Sequence, residues 1–95
     1  YNRGARLFYP PHFILLDYIL KAAAAMDIDK RKIIIVRKTR QQLYEECGIT
    51  VKTLNRTINK LKDYGVISLT KGKITMNLEQ YHHGQKIIHH YVNSQ

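Results

Sequence analysis

The stretch TRQQLYEECGITVKTLNRTINKLKDYGVI, residues 39–67, decides the fold. Thr39 is followed three residues later by Gln42, which is the spacing of a helix capping box. Gly48 is suited to end this first helix, and Thr50 is suited to cap a second, longer one. Two helices joined by a short turn that contains a glycine predict a helix-turn-helix.

The second helix, which we expect to end near Tyr64, has two chemically different sides. Leu54, Ile58 and Leu61 recur at the spacing of one buried helical face. The opposite side carries hydrogen-bond donors and no acid: Lys52, Asn55, Arg56 and Asn59. Arginine and lysine suit the O6 and N7 atoms of guanine, and asparagine suits N6 and N7 of adenine. A solvated helix face gives the same pattern, so this stripe alone leaves both interpretations open.

The residues before this stretch predict a helix, a loop and a strand. The apolar spacing and the alanine run favour a helix over Phe13–Met26, and the β-branched run Ile33–Val36 favours a short strand. Between them, Asp27–Lys32 is predicted to be a polar loop. The two adjacent prolines ahead of the helix favour extended backbone, so residues 1–11 are expected to form an N-terminal arm or linker.

The residues after the stretch predict a hairpin and a last helix. Val66–Leu69 and Lys73–Met76 are expected to be short strands, joined by a turn at Thr70–Gly72. Glu79–Val92 is expected to be helical, although Gly84 weakens that helix. An apolar stripe in this last segment is compatible with packing onto the domain or with a contact in a homodimer: Ile87, Ile88, Tyr91 and Val92.

The order helix, strand, helix, turn, helix and hairpin predicts an α+β, mainly helical fold. This is the order of a winged helix-turn-helix with a small antiparallel β wing. We expect residues 12–78 to form that domain and residues 79–95 to form a C-terminal helix or tail.

The charge of the chain points to a polyanionic partner. The 95 residues hold 16 Lys and Arg against seven Asp and Glu, for a formal net charge of +9. Ten of the basic residues and only two acids lie between residues 30 and 62. Such concentration is typical of a surface that meets nucleic acid. No apolar run approaches the ~20 residues of a membrane-spanning helix, and the single cysteine fits a reducing cytoplasm.

Residues 39–67 resemble the winged-helix DNA-binding domain of the Crp–Fnr family of bacterial transcription regulators. The wing, residues 71–76, and the preceding helix and strand, within residues 13–36, are also similar. The resemblance is carried by the TRQQL start, the turn glycine and the residues Thr53, Arg56, Leu61, Gly65, Val66 and Ile67. The family's sensor domain and long dimerisation helix have no counterpart in these 95 residues.

The resemblance implies base reading by the second helix and phosphate contacts from the starts of both helices, and from their place on the hairpin the wing lysines are expected to reach the adjacent DNA backbone or minor groove. The base-reading set is Val51, Lys52, Asn55, Arg56 and Asn59, in which Arg56 falls on the family's base-reading arginine. Lys52 stands where the family often has an acid, so this chain departs from the family there. The phosphate-binding set is Thr39, Arg40, Gln41, Thr50, Thr53, Lys60, Lys71 and Lys73.

These observations predict a sequence-specific double-stranded DNA-binding domain of a bacterial transcription regulator, with helix 50–64 in the major groove. A plasmid or phage replication initiator and a winged-helix protein-interaction module are the alternatives. We expect no enzyme, cofactor or metal. Cys47 fits a small packed hydrophobe better than a nucleophile. The pairs His82–His83 and His89–His90 lie about 10 Å apart along a helix, too far for one zinc ion.

Overall fold

The computed structural model describes residues 10–93, and within that range the chain forms five helices and three strands. The elements are α1 (Pro11–Ala25), α2 (Ile28–Arg31), β1 (Ile33–Val36), α3 (Arg40–Cys47), α4 (Val51–Asp63), β2 (Ser68–Thr70), β3 (Lys73–Asn77) and α5 (Leu78–Asn93). This order confirms the predicted mainly helical α+β architecture. Most of the predicted arm, residues 1–9, lies outside the described residues.

Helix α1 contributes six buried side chains to the core and packs against other helices. Its first residue is Pro11, whose fixed φ and missing N–H are tolerated at a helix start. The helix contacts α4 on one part of its surface and α5 on another. The side chains that make its buried face are Phe13, Leu15, Leu16, Ile19, Leu20 and Ala23.

The three strands form one antiparallel sheet in the order β1, β3, β2. Ile34 pairs with Met76, and Leu69 pairs with Ile74, so β3 lies between the other two strands. Strand β1 matches the prediction, whereas β2 begins two residues later than predicted. Val66 and Ile67 are buried in succession in the connection that precedes β2. Consecutive side chains of a strand point to opposite faces, so this adjacent pair suits a connection inside the core.

The predicted polar loop at residues 27–32 was wrong in part, because it contains the one-turn helix α2. Left-handed residues flank this turn, Asp27 with φ 60° and Lys32 with φ 69°. Ile28 is 1% exposed and anchors the turn in the core. A single apolar residue in a polar run carries no periodicity, so the sequence pattern gave no sign of a helix there.

Helix α5 spans Leu78–Asn93 and begins with a capping box. The Asn77 side-chain oxygen accepts from the Gln80 backbone N–H at 2.7 Å, and the Gln80 side chain accepts from the Asn77 N–H at 2.9 Å. Gly84 does not interrupt the helix. A Cβ on Gly84 would lie 3.2 Å from methyl carbons of both Leu16 and Leu20. The glycine therefore marks the close approach of α5 to α1.

The apolar stripe of α5 packs onto the domain through three of its four members. Ile87, Ile88 and Tyr91 are partly buried against the core, and the rings of Tyr91 and Phe13 lie 4.4 Å apart between centroids. Val92 is 46% exposed. Packing onto the domain accounts for most of the stripe, and a homodimer contact stays a prediction.

Candidate nucleic-acid interface

The turn between α3 and α4 is built by short-range interactions that the sequence predicts. The Thr39 hydroxyl accepts from the Gln42 N–H at 3.1 Å, and the Gln42 side chain accepts from the Thr39 N–H at 2.8 Å. Gly48 adopts the left-handed conformation with φ 75° and ends α3. Ile49 is 6% exposed and inserts into the core between the two helices. The predicted capping box and turn are confirmed.

Helix α4 has the two sides expected from its sequence. The Thr50 hydroxyl accepts from the Thr53 N–H at 3.4 Å and caps its start. The inner side is buried: Leu54, Thr57, Ile58 and Leu61. The buried Thr57 hydroxyl donates to the Thr53 carbonyl at 2.7 Å, so its polar atom has a partner inside the helix.

The five predicted base-reading residues all lie on the exposed outer side of α4: Val51, Lys52, Asn55, Arg56 and Asn59. We call this set the outer side of α4. Val51 is 38% exposed, enough for its methyl groups to meet an apolar contact such as a thymine methyl. Because the inner side is anchored in the core, the outer side is presented on a fixed element.

Seven of the eight predicted phosphate-binding residues fall into three groups around α4. Thr39, Arg40 and Gln41 lie at the start of α3, and Thr50 and Thr53 lie at the start of α4. Lys71 and Lys73 lie at the hairpin between β2 and β3. The first backbone N–H groups of a helix have no intrahelical acceptor and favour an anion. In this set, Arg40 and Thr53 are half-buried and the others are exposed.

Arg40 joins these groups. Its Nε donates to the Asn55 side-chain oxygen at 3.2 Å, and its Nη2 donates to the Gly72 backbone carbonyl at 3.2 Å. The start of α3, the outer side of α4 and the tip of the hairpin are therefore direct neighbours. Sequence reasoning missed these contacts, which span 15 and 32 positions and leave no local pattern.

Lys60 lies apart from that cluster, in the last turn of α4. Its ammonium is close enough to His12, at the start of α1, to affect the pKa of the imidazole. Desolvation by burial, and then the positive charge of Lys60, lower the pKa of His12. The His12 ring also meets the Tyr64 ring at 5.8 Å between centroids. Lys60 thus lies in the last turn of α4, beyond Asn55, the residue through which Arg40 contacts that helix.

The hairpin presents its lysines from a tight two-residue turn. Lys71 has φ 52° and Gly72 has φ 79°, so both central residues are left-handed. This is the conformation of a type I′ turn, whose twist matches that of paired antiparallel strands. Lys71 and Lys73 are exposed on either side of Gly72, whose carbonyl accepts from Arg40.

The thirteen predicted contact residues include six cations and no carboxylate. Of the two acids of α3, Glu45 accepts from the Gln41 side chain of this set at 3.5 Å. Glu46 accepts instead from the Tyr18 hydroxyl at 2.6 Å and from the Lys38 ammonium at 3.0 Å. These two hydrogen bonds lower the pKa of Glu46, the one from Tyr18 having the larger effect. This α1–α3 contact was also missed by sequence reasoning, because 28 positions separate its members.

Cys47 and the histidines are the candidate nucleophile and metal ligands of the sequence, and the structure gives the surroundings of Cys47. Cys47 is partly buried against the core, and burial followed by the charge of Glu46 raises the pKa of its thiol. Within residues 10–93, no group of three or more His, Cys, Asp and Glu side chains could hold a metal ion. No helix in that same range is long and apolar enough to cross a membrane.

The helix-turn-helix, the core helix α1 and the β hairpin together define a winged helix-turn-helix domain. A family model described as the Crp-like helix-turn-helix domain matches residues 14–80, and the chain belongs to that family. Comparisons with curated proteins and with solved structures gave no significant match. A domain of this family is a DNA-binding module, which implies double-stranded DNA as the partner.

Proposed function

We propose that this domain recognises a specific sequence in double-stranded DNA as part of a bacterial transcription regulator. The observation that carries the proposal is the arrangement around Arg40. The outer side of α4, the start of α3 and the hairpin tip converge on one side of the fold. Base-reading and phosphate-binding groups must be adjacent in this way to fix a reading helix on a duplex.

In the proposed mechanism, α4 enters the major groove. An α-helix with its side chains is about 10–12 Å across, and the groove is about 12 Å wide. Arg56 is exposed and suited to a two-bond contact with guanine O6 and N7. Lys52, Asn55 and Asn59 reach neighbouring base edges from the same side of the helix.

Phosphate contacts set the register of that helix. The N–H groups and hydroxyls at the starts of α3 and α4 face one stretch of backbone, and the hairpin lysines reach another. These contacts carry little sequence information, but they supply much of the affinity and make it dependent on salt. Through phosphate contacts alone the domain binds any duplex weakly, and with the added base contacts it binds its own site tightly.

Selection of bound duplexes from a random pool tests this function. We expect a defined motif, with binding that weakens steeply as the salt concentration rises. A palindromic motif would indicate that two copies bind together, as paired half-sites require. Duplex binding without any motif would contradict sequence-specific recognition. Failure to bind duplexes at low salt would favour the protein-interaction alternative.

A further inference from the structure

Val51 differs from the other four residues on the outer side of α4. Those four side chains end in groups that form hydrogen bonds, whereas Val51 ends in two methyl groups. Val51 is the first residue of α4, and its side chain is exposed. It lies one turn before Asn55, so the two side chains are neighbours on the surface of the helix.

The hydrophobic core does not account for an apolar residue at this position. Within residues 10–93, Val51 belongs neither to the buried core nor to the partly buried apolar residues that pack against it. The buried inner side that anchors α4 is made by other residues of the helix. The two methyl groups therefore stand on the surface that carries the predicted base-reading side chains.

The major groove offers few partners for an apolar side chain. Base edges there present hydrogen-bond donors and acceptors, together with one apolar group, the methyl group on C5 of thymine. Against a donor or acceptor, the methyl groups of Val51 would displace water without replacing its hydrogen bonds, which costs free energy. Against a thymine methyl group they would bury apolar surface on both sides of the contact, which is favourable.

We propose that Val51 reads the C5 methyl group of a pyrimidine in the bound site. The proposal rests on the proposed function and specifies the group that is read at one base pair. Thymine carries this methyl group and uracil lacks it, so Val51 selects thymine there. Because 5-methylcytosine carries the same group on the same ring atom, methylation of a cytosine at this base pair strengthens binding.

Replacement of single thymines by uracil tests the proposal. The two bases have the same hydrogen-bonding groups on their major-groove edges and differ there only in the methyl group. Each thymine of the selected motif is replaced in turn, and the affinity of each duplex is measured by equilibrium titration. At one thymine, the replacement is expected to weaken wild-type binding by about fourfold, the amount expected for one buried methyl group.

Variants of Val51 assign that loss to this side chain. Val51→Ser removes both methyl groups and keeps a small residue at the start of α4, so the preference for thymine over uracil is expected to disappear. Val51→Ile keeps an apolar side chain and is expected to retain the preference. Val92→Ser, the same substitution at an exposed valine of α5, is the matched control and should leave the preference unchanged.

Cytosine gives a second, independent measurement at the same base pair. Unmodified cytosine and 5-methylcytosine pair with the same guanine and differ only in the methyl group. Wild-type protein is expected to bind the methylated duplex more tightly, by a factor similar to the loss from thymine to uracil. Val51→Ser is expected to bind the two duplexes equally.

Several outcomes would overturn the proposal and leave the proposed function in place. If the motif contains no thymine, or if no thymine loses affinity when it is replaced, Val51 does not read a thymine methyl group. If wild-type protein and Val51→Ser show the same losses, another residue reads it. If the methyl group of cytosine brings no gain in wild-type affinity, the methyl group itself is not what Val51 reads. A protein that selects no motif at all contradicts the proposed function, and this proposal fails with it.

Discussion

Helices α4 and α5 both pack against α1, but they do so through different side chains. The inner side of α4 is built from large aliphatic residues, and Leu54, Ile58 and Leu61 are each at most 2% exposed. The one buried residue of α5 is Gly84, and Ile87 and Ile88, about one turn further along the helix, are partly buried. Helix α4 is thus anchored in the core, whereas α5 packs on the outside of the core.

The exposed sides of these helices differ in their surroundings. The outer side of α4 adjoins the start of α3 and the hairpin tip through Arg40. Most of α5 lies beyond residue 80, where the family match ends. A recognition surface benefits from a rigid element beneath it, because reading groups must be held close to their productive geometry. This contrast leads us to expect DNA contacts on α4 and a packing role for α5.

The largest expected effect is loss of the anchor beneath α4. Leu61 is completely buried, so Leu61→Ala leaves a cavity and is expected to lower the free energy of unfolding by about 2–5 kcal/mol. Urea denaturation measures the change. Ile87→Ala on α5 is the matched comparison and should cost less, because Ile87 is only partly buried. Equal losses would show that α5 is as important to the core as α4.

Removal of the proposed base-reading arginine should affect binding and leave folding almost unchanged. Arg56 is exposed, and Arg56→Ala is expected to weaken binding to the selected duplex by about 1–3 kcal/mol. Equilibrium titration with the selected and a scrambled duplex measures this loss and the accompanying loss of specificity. Lys86→Ala on α5 removes one charge from an exposed position outside the predicted set. If the two variants weaken cognate binding equally, Arg56 has no special reading role.

The close approach of α5 to α1 should tolerate one added carbon atom at position 84 but not three. Gly84→Ala gains about 1 kcal/mol in helix propensity, which offsets the crowding of the leucine methyl groups 3.2 Å away. Gly84→Val is expected to lower the free energy of unfolding by about 1–3 kcal/mol, the usual cost of overpacking. Thermal unfolding followed by circular dichroism distinguishes them. Equal stability of the valine variant would place α5 farther from α1 than the structure has it.

The hairpin lysine should contribute to affinity without contributing to sequence choice. Lys71→Asn removes a charge and keeps a residue that tolerates the left-handed turn. We expect weaker binding to all duplexes by a similar factor, and a salt dependence of log K on log salt that is flatter by about one unit. Titrations at several salt concentrations measure the slope. An unaltered slope would remove Lys71 from the interface.

The smallest expected effect concerns His12, which packs near the end of α4. Its pKa is lowered in the folded domain, so the unfolded chain binds a proton more readily. Stability is therefore expected to fall as the pH drops through the ordinary histidine value of about 6.5. Denaturation of wild-type protein and of His12→Gln at pH 7 and pH 5 should show a smaller loss in the variant. Identical losses would mean that His12 does not carry this effect.

The sequence predicts those parts of the fold that depend on neighbouring residues. The Thr39–Gln42 capping box, the turn at Gly48 and the spacing of the α4 core residues are local signals, and α3 and α4 were placed correctly from them. The one-turn helix α2 was not predicted because its single buried apolar residue, Ile28, gives no periodic pattern. A buried side chain in a polar run is decided by tertiary packing, which no local pattern records.

The candidate site divides in the same way. The exposure of the outer side of α4 followed from helical periodicity, because its inner side is strongly apolar. The two hydrogen bonds of Arg40 did not follow, because they require the hairpin to lie against α3 and α4. Predicting that arrangement needs the crossing geometry of three elements as well as the identity of their residues.

The outer side of α4 is the surface that we propose meets the DNA. Titration of isotope-labelled protein with the selected duplex, followed by amide NMR shifts, tests this proposal most directly. We expect the largest changes along residues 50–59, at the start of α3 and at the hairpin tip, with small changes along residues 81–93. The largest changes on α5, with α4 unaffected, would contradict it.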